Sequence, residues 1–310
     1  MRVGESRMVP EARPTSYYGR PVLKEPVWRW QIPAYFFTGG LAAGSAVLGL
    51  GARIGGNRRL GRVARLAAVG ASAASGGLLV ADLGRPERFY NMLRVAKPSS
   101  PMSVGSWLLA VFAPATAVAA ACDVLGLFPG LGAAAGVVAA ALAPAVATYT
   151  AVLVSDTAVP AWRDASRELP YVFAGSAAAS AGGLACVLVP PPAAGPARRL
   201  ALAGTLVEVS AGRVLERRLD PLVAEPYQQG PGGRLTRLAR GSALAGAALL
   251  LAGGRRRTAL AAGGALTAVA ALLERFAVFR AGVESARDPR YTVLPQQRRA
   301  AERGQPAVTR

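Results

Sequence analysis

Residues 133–155 read AAAGVVAAALAPAVATYTAVLVS, a run without a charged side chain. As an α-helix rising 1.5 Å per residue it is about 35 Å long, enough to cross the ~30 Å hydrocarbon core of a bilayer. Its apolar residues are continuous. They are not spaced at i, i+3, i+4, as on a helix that shows one face to a soluble core. The same texture predicts further spans at 31–52, 63–83, 104–122, 172–189, 200–215, 238–253 and 259–279, the sixth of the eight being interrupted by Glu208 and Arg213. The fold expected is an all-α integral membrane protein with about eight transmembrane helices. It divides into a polar N-terminal tail (1–30), a transmembrane domain (31–280) and a polar C-terminal tail (281–310). A hydrophobic content of 52% and a mean hydropathy of +0.32 would suit a soluble protein as well, so it is the arrangement that decides.

Ala and Gly dominate the spans, and small residues let helices approach closely where packing replaces the hydrophobic effect between them. The first 30 residues are polar and lack an apolar run ending in a cleavage site, so the first span is expected to act as an uncleaved insertion signal. The net charge of +19 does not point to nucleic acid. The Arg residues fall in loops and tails between apolar blocks, where they set topology and meet anionic membrane lipid. The sequence contains no His and only Cys122 and Cys186. A bis-His haem and a four-Cys iron–sulfur cluster are therefore excluded from this chain, as are zinc sites of the usual kind. Both Cys read as packing residues.

Three connections carry Arg without acids: Arg53, Arg58, Arg59 and Arg62; Arg198 and Arg199; Arg255, Arg256 and Arg257. That composition fits a cytoplasmic face, which would leave both termini and the longer loops 84–103, 156–170 and 216–237 outside. The longer loops hold mixed charge, aromatics and prolines, as a surface that docks a partner would.

Asp82 closes the second span in the segment Asp82-Leu83-Gly84-Arg85-Pro86-Glu87-Arg88-Phe89-Tyr90, followed by Ser99-Ser100-Pro101-Met102-Ser103. An acid at the membrane edge is expensive to desolvate unless paired. Two readings stand: a helix-end clamp with Arg85 and Arg88, or a proton-active carboxylate at a ligand pocket. With Gly39-Gly40-Leu41-Ala42-Ala43-Gly44 in the first span, this segment resembles the NrfD or polysulfide-reductase membrane-subunit family. Further similar stretches are Tyr149, Pro160-Ala161-Trp162, Leu169-Pro170, Glu225-Pro226-Tyr227 with Gly230, and Asp288-Pro289-Arg290-Tyr291-Thr292-Val293.

The resemblance implies an eight-helix subunit arranged as two four-helix bundles, without a prosthetic group. It implies an exchangeable quinone, menaquinone or ubiquinone, bound near the face where an iron–sulfur subunit docks, and the anchoring of a molybdopterin-type catalytic subunit of a membrane-bound oxidoreductase in the cell membrane. Some relatives carry a His and an Asn early in span one, where this chain has Gln31-Ile32-Pro33-Ala34-Tyr35-Phe36, so Gln31 or Tyr35 is expected to substitute. Tyr149 is a candidate hydrogen-bond donor to a quinone carbonyl, or a packed Tyr bonded to a neighbour. Gly40 opens room for the ring or for helix packing, and Arg85 is a further candidate contact.

Asp82 and Glu208 are the proton-transfer candidates. Glu208, Gly212 and Glu216 share one side of their helix by i, i+4 spacing. Glu208 could be neutralised by Arg213 or belong to a structural ion pair, and Glu274 with Arg275 admits the same two readings. Two other whole-protein readings remain open: a passive anchor without a quinone site, and a secondary transporter or ion-translocating module, since intramembrane acids also mark transport paths.

Overall fold

The computed structural model of the chain describes residues 22–253 and 256–302. Residues 1–21 of the N-terminal tail, Gly254 and Arg255, and residues 303–310 of the C-terminal tail lie outside them. In chain order the helices are α1 (Gln31–Ile54), α2 (Arg58–Asp82), α3 (Pro101–Leu125), α4 (Pro129–Ser155), α5 (Pro160–Arg163), α6 (Leu169–Leu188), α7 (Gly195–Arg218), α8 (Pro221–Gln228), α9 (Gly230–Gly253), α10 (Arg257–Arg287) and α11 (Arg290–Glu302). Two 3-10 segments, Pro86–Leu93 and Pro191–Ala193, lie in the connections. Among the described residues there is no strand.

Local chemistry sets the ends. Pro occupies one of the first two positions of each helix from α3 to α8, where its missing N–H is not needed. Asn57 caps α2 by accepting from the Leu60 amide at 3.1 Å. Gly126, at φ 68°, ends α3 in the left-handed conformation that Gly adopts without strain. Eight helices are 20–31 residues long, and each expected span falls on one of them to within a residue. The helices outrun the apolar runs because the backbone ladder continues into charged ends. α10 reaches Arg287, and α11 occupies part of the segment set apart as a tail.

Seven of the eight are long and apolar enough to cross a membrane. The exception is α7, which packs lengthwise against α6 like the rest but carries Glu208, Arg213 and Glu216 within its length and charged residues at both ends.

Helices α1–α4 pack in a closed ring of neighbours, and α6, α7, α9 and α10 form a second. This is the two-bundle arrangement that the resemblance implies. The bundles meet along α1 and α6, with α4 and α10 joining the seam. Close approach requires Gly there: a Cβ on Gly44 would strike the Ala177 carbonyl of α6. Within the second bundle Gly175 of α6 and Gly204 of α7 lie against each other's backbone in the same way. Hydroxyls tie the first bundle together, Ser75 donating to Thr38 at 2.8 Å and Thr116 to Ser72 at 3.4 Å.

Because the eight helices alternate in direction, the segments around 22–31, 82–101, 155–169, 218–230 and 287–302 share one end of the molecule, the site end below. The exposed Trp and Tyr side chains among the described residues, Trp30, Tyr90, Trp107 and Tyr171, lie toward it, as at a membrane interface. At the opposite end Asp123 accepts from Arg62 at 3.2 Å and Arg65 at 2.6 Å. There Arg257 also donates to carbonyls at and just past the end of α6, Cys186 at 3.1 Å and Val189 at 3.0 Å.

Candidate functional site

At the site end of the first bundle, α1, α2, α3 and α4 enclose a cavity of about 130 Å³. That is close to the ~150 Å³ that accommodates a benzene ring in an engineered protein core. Its walls are mostly apolar: Trp28 and Ile32 at the start of α1, Leu79 on α2, Met102 and Leu109 on α3, Leu153 on α4, and Met92 from the 3-10 segment. Three side chains that could act chemically line it together: Tyr35, Asp82 and Tyr149. The Tyr35 and Tyr149 hydroxyls have no hydrogen-bond partner among the described residues, although both side chains are buried. Buried phenols normally find one, so two unused donors at an apolar slot are available to a ligand.

Asp82 ends α2 at the rim, half-buried. It forms no ion pair with Arg85, Arg88 or any other described residue, so the helix-end clamp is not what the geometry shows. Arg85 is exposed and does not line the cavity. Gln31 stands one turn before Tyr35, and its Oε1 is buried without a partner. Gly40 lies elsewhere, against Arg275 and Ala177: a Cβ there would come within 3.0 Å of the Arg275 Nη2.

Gly105 and Trp28 are cavity residues that sequence reasoning missed. A Cβ on Gly105 would overlap the Tyr149 ring, at 2.8 Å from Cδ2 and 3.1 Å from Cζ, so its bare Cα is what lets that ring lie against α3. The available signal was its place one turn into a Pro-initiated helix, directly after the quoted Ser99–Ser103 stretch. Trp28 was missed because it precedes the first apolar run. It stacks on Trp162 with ring centroids 5.8 Å apart.

Trp162 is itself clamped. It is fully buried, donates from Nε1 to the Val278 carbonyl at 2.7 Å, and lies on Gly282, where any Cβ would strike its ring. The neighbouring Ala161 carbonyl accepts from the Tyr227 hydroxyl at 2.9 Å, and its amide donates to Ser285 Oγ at 3.3 Å. Burial, with the nearby Glu274 charge, pushes the Tyr227 phenol above its ordinary value, so it remains a neutral donor. The Pro160-Ala161-Trp162 and Tyr227 motifs thus hold the cavity wall from the second bundle.

Glu208 belongs to a different place. With Gly212, Glu216, Arg240 and Glu274 it lines a crevice of about 20 Å³ between α7, α9 and α10, room for one water and not for a ring. The side shared by Glu208, Gly212 and Glu216 is as their spacing predicts. Glu216 is paired with Arg240 at 2.6 Å, whereas Glu208 is buried and its Oε2 has no partner. Arg213 does not neutralise Glu208. The buried cation within electrostatic reach of Glu208 and Glu274 is Arg275, 1% exposed. Arg275 donates to the Phe173 carbonyl at 2.8 Å, lies 3.7 Å above the Phe173 ring, and leaves Nε and Nη1 unbonded. Phe173 in turn meets Phe36 at 5.9 Å, and Phe36 meets Tyr35 at 5.9 Å, so a line of rings joins the two sites.

No group of three or more potential metal ligands exists among the described residues. Comparison with curated proteins gives no significant match. The sequence model of one family, described as Polysulphide reductase, NrfD, matches residues 21–208, more than half of the 310-residue chain. That stretch contains every residue lining the cavity of the first bundle and ends at Glu208, before the stretches at 225–230 and 288–293. A multi-pass helical chain, matched by this family through the whole of its first bundle and into α7, belongs to the NrfD family of membrane subunits of oxidoreductase complexes.

Proposed function

We propose that the cavity between α1 and α4 takes the head of a quinone, and that this chain passes electrons between the quinone pool and an iron–sulfur subunit docked on the site end. The observation that carries this reading is the convergence of the unpartnered Tyr35 and Tyr149 hydroxyls with Asp82 on one ring-sized apolar slot. The donor set fits the group: a quinone needs a flat apolar surface, donors at its carbonyl oxygens and a proton route. When bound, the quinone supplies two-electron chemistry linked to two protons.

The chain's own part is to bind, orient and handle protons. Tyr149, fixed by Gly105, donates to one carbonyl oxygen and Tyr35 to the other, with Gln31, outside the cavity lining, one turn behind Tyr35. Asp82, half-exposed at the rim, exchanges protons between the slot and the aqueous face. Glu208, set in the second bundle, handles protons only along the Glu208, Glu274 and Glu216 side of α7 and α10. Arg85, outside the cavity, contributes to the charged surface of the docking face. That face carries mixed charge, including Glu25, Glu87, Arg88 and Asp156, which suits a soluble partner. The chain is also assigned the anchoring of a molybdopterin-type catalytic subunit. The basic, acid-poor opposite end supports a cytoplasmic-membrane placement with both termini outside.

The test is Asp82→Asn in the purified complex. Assembly with the partner subunits should persist while quinone-linked turnover falls to background, and wild-type turnover would remove Asp82 from the role. A second reading, ion translocation, is favoured by one observation, the cluster of buried Glu208 and Arg275 with half-buried Glu274. Cation or proton uptake by the isolated chain in liposomes, lost in Glu208→Gln, would support that reading instead.

A further inference from the structure

The groove between α7 and α9 is used neither by the cavity of the first bundle nor by the charged crevice of the second. It measures about 600 Å³ and opens to the outside of the bundle. One wall is a stripe along α7 in which Leu202, Leu206 and Val209 are followed by Arg213 and Arg217, at spacings of three and four that keep all five on one face. The other wall includes Leu244 and Leu251 of α9. Its apolar part faces outward, Leu206 being 70% and Leu251 69% exposed.

Dimensions and charge say what fits. From Leu202 to Arg213 the stripe rises about 16 Å, roughly half of the ~30 Å hydrocarbon core and so the depth of one leaflet. The stripe then reaches two guanidinium groups one turn apart, next to the site end of α7. Arg213 and Arg217 are exposed and have no hydrogen bond or ion pair among the described residues. Their neighbours on the same turns are already engaged: Glu216 holds Arg240, and Arg218 bonds Glu168 at 2.7 Å. Two unpaired guanidiniums at headgroup depth above an apolar channel of leaflet length match a phosphate carried on an acyl chain.

We propose that this groove binds one anionic phospholipid, its phosphate on Arg213 and Arg217 and an acyl chain against Leu202, Leu206 and Leu251. The assignment is independent of the quinone reading. It also accounts for α7, the least apolar long helix: of the charges inside its length, Glu208 turns inward and Glu216 is paired. That leaves Arg213 and Arg217 to meet lipid charge, with their stems lying along the groove.

The test uses the assembled complex, exchanged into nanodiscs of phosphatidylcholine with a minority of phosphatidylglycerol, then returned to mild detergent for mass spectrometry of retained lipid. Wild-type protein should keep about one phosphatidylglycerol per chain, enriched roughly ten- to thirtyfold over phosphatidylcholine, as two basic side chains near the surface imply. Arg213→Ala with Arg217→Ala should lose the enrichment, and Leu206→Trp, which fills the groove and leaves both charges, should lower retention. Arg58→Ala with Arg59→Ala, at the opposite end, should leave it unchanged. If the alanine pair does not assemble, Arg213→Lys with Arg217→Lys, expected to retain lipid, and Leu206→Trp carry the test. Absence of enrichment in wild type, equal enrichment in the alanine pair, or full retention in Leu206→Trp would overturn the proposal. So would recovery of a quinone in the groove in place of phospholipid.

Discussion

Gly105→Ala is the sharpest perturbation of the proposed site because it adds one methyl and removes nothing. The new Cβ would stand 2.8 Å from Tyr149 Cδ2 and 3.1 Å from Cζ. It would overlap Cε2, the nearest ring atom, outright; carbon atoms rest at about 3.5–4.0 Å, so the ring must retreat by more than ~1 Å. It is attached to α4, which packs on α1 and α6, and the empty space beside it is the ~130 Å³ cavity itself. Retreat therefore moves the hydroxyl and fills part of the slot. Overpacking of this kind costs about 1–3 kcal/mol, and a 1 Å misplacement of a positioned group can lower a rate by about a hundredfold. The expected result is a complex that still assembles, melts a few degrees lower, and loses quinone-dependent turnover by one to two orders of magnitude. Tyr149→Phe alone should cost less, about 0.5–1.5 kcal/mol, from one hydrogen bond. The assay is a titration of quinol-linked turnover in both variants beside a thermal melt in detergent. Wild-type turnover and melting in Gly105→Ala would refute the reasoning, because the Tyr149 ring could then not occupy the position on which the site depends.

Arg275→Met removes the cation buried beside Glu208 and Glu274, and should destabilise the chain by about 3 kcal/mol or more, as when one member of a buried charge group is lost. Adding Glu208→Gln and Glu274→Gln should restore at least half of that loss in a detergent melt, and strictly additive effects would show that the three do not act as a group. The two Cys report sidedness: Cys122 is half-buried and lines a cavity open at the end opposite the site, whereas Cys186 is fully buried. A membrane-impermeant maleimide should label Cys122 only when applied from the cytoplasmic face of oriented vesicles. Labelling from the outer face would mean that the chain sits the other way round, with both termini inside.

How far the sequence could be read follows from where its information lies. The spans were legible because a bilayer demands about 20 apolar residues in a row, a local property. Even α7 was located, since only Glu208 and Arg213 interrupt the apolar run from Leu200 to Leu215. The pairing of Asp82 with Tyr149 was legible only through resemblance, because these residues are far apart in the chain and no periodicity links them. Gly105 and Trp28 escaped because their contribution is spatial: one gives way to a ring on another helix, the other stacks on Trp162 across the bundle seam. The same limit explains Glu208. Its helix side was correctly read, but the cation near it is Arg275, which approaches from α10 and was never its sequence neighbour.

The glycine run in α1 shows why placement has to precede role. Phe36, Gly40 and Gly44 follow at i, i+4 and i+8, so they share one face of α1, and that face is the seam with α6 and α10. Gly44 admits the α6 backbone, Gly40 admits the Arg275 guanidinium, and Phe36 fills the same face with a ring that reaches both Phe173 and the cavity. The run therefore acts on the slot indirectly. By letting the second bundle close on α1, it allows Arg275 to settle over Phe173, and the aromatic line from Phe173 through Phe36 sets where Tyr35 stands. A side chain at Gly40 would push first on Arg275 and only then, through two rings, on the cavity of the first bundle. Loss of activity at Gly40 would thus come with disturbance of the charged cluster, whereas loss at Gly105 would leave that cluster untouched.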